Sequence, residues 1–290
     1  MPLEAPRRGP PPLSFAWSVS LLACRIDITA DCERVAAWLD PMLQHASQDY
    51  PISRVHRLAI SMEGDRYRIE EDGAARAIEP TAESAGYAVF ARIHVLALDA
   101  LPEFTKVHAG CASWEGRRVL AVGPPHAGKT TLMTRLIYEG FSVQGDELVL
   151  LRDGLALPYP RRFGVRAPTV ALIPQLAAMG PPGPGGPAPL VIDPAQLGFD
   201  WRIEAAPVEA VLYLEPNHGG PSRLEPCPKY QMAQRIMSQS SGPEAGKRQW
   251  IRDVCAILDR ASSHVLRLGD LDAAVDAVKE ALRGTPRVAA

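Results

Sequence analysis

Residues 123–130 read GPPHAGKT and fit the spacing G-x-x-x-x-G-K-[ST]. Each residue type in that spacing has a chemical use. Gly123 and Gly128 permit backbone turns that aim N–H groups at phosphate oxygens, Lys129 brings a positive charge toward the β- and γ-phosphates, and Thr130 offers a hydroxyl to Mg2+. Thr131 continues the first helical turn, whose unpaired amides and dipole favour an anion. Pro124, Pro125, His126 and Ala127 fill the middle of the loop and contribute mainly backbone; the two prolines remove two donors. His126 is expected to be passive. The apolar run RVLAV before the loop and the helix-like TTLMTRLIYEGF after it supply the strand and helix that a phosphate-cradling loop requires.

Four other positions bear on the same chemistry. Asp146 and Glu147 arrive 17 positions after Lys129, counting from that residue to Asp146. One of these carboxylates could steer Mg2+ and the other could take the proton of an attacking hydroxyl. Arg161 and Arg162, in the segment PYPRRFGVR that also holds Arg166, could stabilise charge on a transferred group or grip an acceptor. The remaining histidines, apart from His108, show no partner pattern.

The elements must bring these residues to one place. Glu115–Gly116 is a two-residue hairpin turn between VHAGCAS and RVLAV, and that register sets His108 opposite Gly123. The helix from Lys129 to the αL cap at Gly140 descends about 15 Å. The strand FSVQGDELVLL climbs back at about 3.3 Å per residue, so Asp146 and Glu147 return to the level of the loop, at the carboxyl edge of the neighbouring strand. Upstream, LLACRIDITA reads as a strand, CERVAAWLDPML as a short helix broken at Pro41, HRLAISMEG and RYRIEEDG as a hairpin around Gly64–Asp65, and residues 86–104 as a helix. Downstream, residues 180–189 and 238–246 read as mobile segments, and 247–260 and 271–283 as core-facing helices, the second capped by Asp270. The expected organisation is a disordered lead-in over 1–13, a small α/β unit over 14–104 and a catalytic α/β domain over 105–290.

The order VHAGCASWEGRRVLAVGPPHAGKTTLMTRLIYEGFSVQGDELVLL resembles the catalytic core of the HPr kinase/phosphorylase family, and more closely the HPr-kinase-related proteins of bacterial gene clusters, including peptide-tailoring kinases. The likeness lies in a histidine ahead of the loop strand, the loop, the glycine at the helix end and the acid pair, and covers roughly 107–165. It implies a P-loop kinase fold of the HPr kinase and phosphoenolpyruvate carboxykinase-like type. It further implies Asp146 as the general base toward a serine or similar hydroxyl, His108 near the transferring phosphate, and Thr130 with Glu147 as Mg2+ ligands. ATP and Mg2+ follow as cofactors, a peptide or small protein as acceptor, and a homo-oligomer as the family's frequent assembly. The chain departs from the family in its Pro-Pro-His loop centre, in Glu147 where an aspartate is usual, and in lacking the glycine-rich segment that engages HPr. HPr is therefore not the expected acceptor.

Bulk properties narrow the field. The chain has 290 residues, 31 basic against 33 acidic, and a net charge of −2, so no nucleic-acid footprint is present. Its 5 cysteines are scattered without C-x-x-C spacing, which fits reduced thiols in a cytoplasmic protein. Ser14–Cys24 is apolar after two arginines but runs into an alternating strand pattern, so a first strand is expected rather than a secretory signal, and no run is long enough for a membrane span. The expectation is a kinase acting on a peptide or small-protein serine. A small-molecule alcohol is the rival acceptor, and a nucleotide-dependent binding or regulatory module without an acceptor is the rival class.

Overall fold

A computed structural model describes residues 14–43, 47–48, 50–179, 190–199 and 201–284. The segments 1–13 and 180–189, for which a disordered lead-in and a mobile loop were expected, lie outside the described residues. Contacts divide the chain into two compact units between Leu101 and Pro102, the short strand Ser47–Gln48 going with the second. Both units are mixed α/β, and each carries its own sheet.

The first unit is a five-stranded sheet in the order Phe15–Leu21, Cys24–Ala30, Arg54–Glu63, Arg66–Glu71, Ala74–Glu79. LLACRIDITA does not form one strand. Leu22 takes a positive φ of 51° and folds the chain into a tight hairpin, with Leu21 opposite Cys24. Alternate side chains, among them Ile26, Ile28, Leu58, Ile60 and Ile69, are buried on one face, as a half-covered sheet demands. Helices Glu33–Leu39 and Ala82–Asp99 contribute Val35, Leu39, Val89 and Ile93 to the core. The second helix starts earlier than its apolar pattern suggests, because Thr81 and Ser84 cap each other reciprocally at its N-terminus.

The second unit is built on a six-stranded sheet in the order Ser142–Gly145, Ala109–Trp114, Arg117–Val122, Ala210–Pro216, Ser262–Leu268, Arg223–Pro226. The three central strands Arg117–Val122, Ala210–Pro216 and Ser262–Leu268 are parallel. Ala210–Pro216 is accordingly a nearly continuous apolar run, the pattern of a strand covered on both faces. On one face Ala121, Leu212 and Leu266 pack with Leu132, Leu136, Val275 and Val278 of helices Lys129–Tyr138 and Leu271–Arg283. On the other, Leu120, Val122 and Val211 pack with Met232, Ile236, Val254 and Ile257 of helices Lys229–Ser238 and Lys247–Arg260. A smaller sheet, in the order Leu155–Pro158, Val149–Arg152, Thr105–Val107, Ser240–Ser241, adds Val107, Val149 and Leu151 to this second cluster.

Two stretches that read as single strands are each split between these sheets. Thr105–Val107 lies in the small sheet and Ala109–Trp114 in the large one, with His108 between them. Ser142–Gly145 lies in the large sheet and Val149–Arg152 in the small one, with Asp146 and Glu147 in the gap. The segment 238–246, expected to be mobile, is ordered: Ser240 and Ser241 pair with Val107 and Lys106, and the Trp250 indole N–H donates to Ser240 Oγ at 2.9 Å.

Candidate functional site

The site is assembled at the end of the large sheet where strand Arg117–Val122 runs into the loop. The Glu115–Gly116 turn has positive φ at both residues, 51° and 74°, as a two-residue hairpin turn of the twist-matching kind needs. Its ladder ends with Ala109 opposite Val122, so His108 and Gly123 are the next residues on either side. The backbone N–H of His108 donates to Gln239 O at 2.8 Å, which ties the histidine's position to the end of helix Lys229–Ser238.

The loop holds a shape suited to an anion. His126 and Gly128 have φ of 67° and 93°, whereas Ala127 between them does not share the left-handed region. Such alternation turns successive N–H groups toward one concavity. Gly123 sits in a tight place, since a Cβ there would stand 3.0 Å from Ala127 Cβ and 3.2 Å from Leu214 O and would need these neighbours to shift. Ala127 N–H donates to Pro124 O across the turn at 3.2 Å. Pro124, which has no N–H to give, serves here as a backbone acceptor. Lys129 is buried at 5% exposure. Its ammonium donates to Gly123 O at 2.6 Å and to Pro124 O at 2.9 Å, closing the loop on itself.

The acid pair returns to this level. Strand Ser142–Gly145 runs in the same direction as the loop strand, but Ala109–Trp114 lies between them, so the pair stands one strand further off than the sequence suggests. The two acids diverge. Asp146 is buried and accepts from Thr130 Oγ1 at 2.7 Å. Glu147 is exposed and pairs with Arg161 at 2.8 Å. Thr131 Oγ1 shares a hydrogen bond of 2.7 Å with the buried Thr169. Arg162, one residue before Phe163, is half-buried and feels the charge of Asp193, which follows Ile192 in the paired strand. Arg166 Nη1 lies 3.0 Å from His126 Nδ1.

Burial governs the electrostatics. The Asp146 carboxyl is pushed up to about 6, chiefly by loss of water, with the Glu147 charge adding to the rise and the Thr130 hydrogen bond opposing it. Lys129 is drawn down to about 8 by burial, against the pull of Asp146 and Glu147. His108 is lowered by burial first and by the Lys129 charge second, which favours its neutral form. His108 thus feels Lys129 and Glu147, and Lys129 feels Asp146 and Glu147. Thr130 and Asp146 present hard oxygen donors side by side, the chemistry Mg2+ takes, whereas Glu147 is already engaged by a guanidinium.

Asp146, Thr130, Lys129 and His108 are therefore brought together, with Glu147 and Arg161 at their edge. Arg162 lies in the field of Asp193. Thr169 and Gln239, which hold the loop helix and His108, carry no motif; their contacts exist only through tertiary placement. Among the described residues no helix is long and apolar enough to cross a membrane.

No protein-family model matches the chain. Over 61 residues, 21% of its length, it is 36% identical to the GTPase Der of Thioalkalivibrio sulfidiphilus, and that stretch is 13% of the GTPase's own length. Among solved structures it is similar to the Hpr(Ser) kinase/phosphatase from Coxiella burnetii, with a TM-score of 0.32 and 16% identity over 60% of this chain and 94% of that one.

Proposed function

We propose that the protein is a Mg2+-dependent kinase that transfers the γ-phosphoryl group of ATP to a hydroxyl. The observation that carries this reading is the 2.7 Å hydrogen bond from Thr130 to the buried Asp146, which joins the first turn of the loop helix to the strand-end acid. Phosphoryl transfer needs a phosphate cradle and a carboxylate beside it, and little else from the protein. In the proposed step the acceptor oxygen bonds to the γ-phosphorus, its proton passes to the Asp146 carboxylate, and the bond to the bridging oxygen breaks to release ADP. A carboxyl titrating at about 6 is suited to taking that proton near neutral pH. Thr130 with one of the acids would hold Mg2+, which neutralises phosphate charge when bound. Lys129 must leave the Gly123 and Pro124 carbonyls to meet the phosphates. His108, favoured neutral, would offer a hydrogen bond there rather than a charge.

The same 2.7 Å bond favours a second division of labour, in which Asp146 holds Mg2+ with Thr130 and Glu147, released from Arg161, takes the proton. The acceptor is proposed as a serine of a peptide or small protein on the family resemblance alone, with a small-molecule alcohol as its rival. The local match to a protein named as a GTPase makes GTP the second donor to try.

The test incubates the protein with Mg2+, γ-labelled nucleotide and candidate peptides or alcohols, beside Lys129→Ala and Asp146→Asn, and reads the intact mass of each acceptor. Gain of one phosphate, lost in both variants, is expected. Nucleotide hydrolysis that no acceptor alters would replace the kinase with the regulatory module.

A further inference from the structure

Three arginines downstream of the acid pair lie within one six-residue stretch, 161–166, and they differ in what answers their charge. Arg161 is neutralised by Glu147. Arg162 lies in the field of Asp193, its neighbour across the strand pair. Arg166 has neither: its partner is the imidazole of His126, 3.0 Å away, and no carboxylate among the described residues pairs with it. A guanidinium has no acceptor of its own, so in this contact Arg166 donates and His126 Nδ1 accepts.

The position of Arg166 is fixed from two sides. Its carbonyl accepts from the Thr169 N–H at 2.9 Å, and the Thr169 hydroxyl is bound to Thr131 in the first turn of the loop helix. At its other end the guanidinium is held by His126, the non-glycine residue in the left-handed bend of the loop. An uncompensated, exposed guanidinium therefore stands at the rim of an anion-binding concavity, tethered to the same helix and loop that form it.

We propose that Arg166 is a ligand of the terminal phosphate of the bound nucleotide, supplied in cis, and that His126 is the residue that positions it. This rests on the nucleotide-binding reading of the loop. The phosphates nearest the nucleoside belong at the helix start, beside Thr130 and Thr131, and the terminal ones at the loop, where Lys129 ends at Gly123 and Pro124. Only the Arg166 backbone is tied, through Thr169, to the helix start; its guanidinium is held at the loop by His126, so the charged end meets the terminal group. A guanidinium binds phosphate oxygens through paired N–H donors, more strongly than it binds one imidazole nitrogen, so the ligand displaces His126 from its bond without a backbone rearrangement. The Pro-Pro-His centre of the loop then has a use: two rigid residues carry a side chain that keeps an arginine in place until phosphate arrives.

The experiment is a calorimetric titration of Mg-ATP and Mg-ADP into the full chain and into Arg166→Ala, Arg166→Lys and His126→Ala. Arg166→Ala should weaken ATP by about tenfold and ADP far less, collapsing the preference for the triphosphate. Arg166→Lys should keep part of that preference, and His126→Ala should lose a smaller part than Arg166→Ala. An unchanged ATP-to-ADP ratio in Arg166→Ala, or an equal loss for both nucleotides, would overturn the assignment while leaving the loop a nucleotide site. Failure of the wild-type protein to bind either nucleotide would instead overturn the reading beneath it.

Discussion

Asp146 is the residue whose energetics most depart from a structural role. The fold holds its carboxyl at about 6 against an ordinary 3.8, so between those values the native state binds more protons than the unfolded chain. Ligand-free stability attributable to Asp146 is then highest in acid and falls as pH rises from about 4 to about 6. Asp146→Asn keeps the shape and removes the ionisation. It should flatten that fall and, above pH 6, stabilise the ligand-free protein by about 2–3 kcal/mol, seen as a higher Tm in a thermal melt. Phosphoryl transfer by the same variant should be lost. A lower Tm would mean that Asp146 is an ordinary structural acid. Nucleotide affinity separates its two chemical roles: near wild type if Asp146 takes the proton, and sharply reduced in Mg2+ if it holds the metal with Thr130.

The elements around the site were legible to different degrees. The loop, its helix and the Glu115–Gly116 hairpin follow from short-range rules, and the ladder that ends at Ala109 opposite Val122 has the register the turn dictates. Helices Lys247–Arg260 and Leu271–Arg283 could be read because apolar spacing and the Asp270 cap are local signals. The breaks at His108 and at Asp146–Glu147 were not legible, because passing from one sheet to another leaves the apolar pattern of a strand intact. The pairing of Ser240 and Ser241 with the strand before His108 was hidden for a related reason, since backbone hydrogen bonds order a segment whose composition looks like linker. The unlike fates of Arg161, Arg162 and Arg166 depend on partners distant in sequence. At this scale the loop's hinge is Gly128. With φ at 93° and a Cβ position only 2.5 Å from Leu268 Cδ2, Gly128→Ala should cost at least about 1–2 kcal/mol and deform the cradle. Circular dichroism should show a folded variant with a reduced Tm, and titration should show no nucleotide binding; retained affinity would mean that the left-handed bend is dispensable.

For the molecule as a whole, the site lies in the second unit, on a sheet covered by helices on both faces, so a ligand there binds the native state and not the unfolded chain. Mg-ATP at a hundred times its Kd should therefore add about 2.7 kcal/mol of stability, a shift of several degrees in the melt of that unit, absent in Lys129→Ala. The near-balance of charge predicts no salt-dependent affinity for DNA or RNA, which a filter-binding series checks. The most direct measurement is calorimetric titration of ATP into the wild-type protein and Lys129→Ala, each with Mg2+ and with a chelator. A Mg2+-strengthened affinity that disappears with the Lys129 ammonium is the result expected of a phosphate cradle joined through Thr130 to an acid. No binding, or binding indifferent to both Mg2+ and Lys129, would contradict the kinase reading at its foundation.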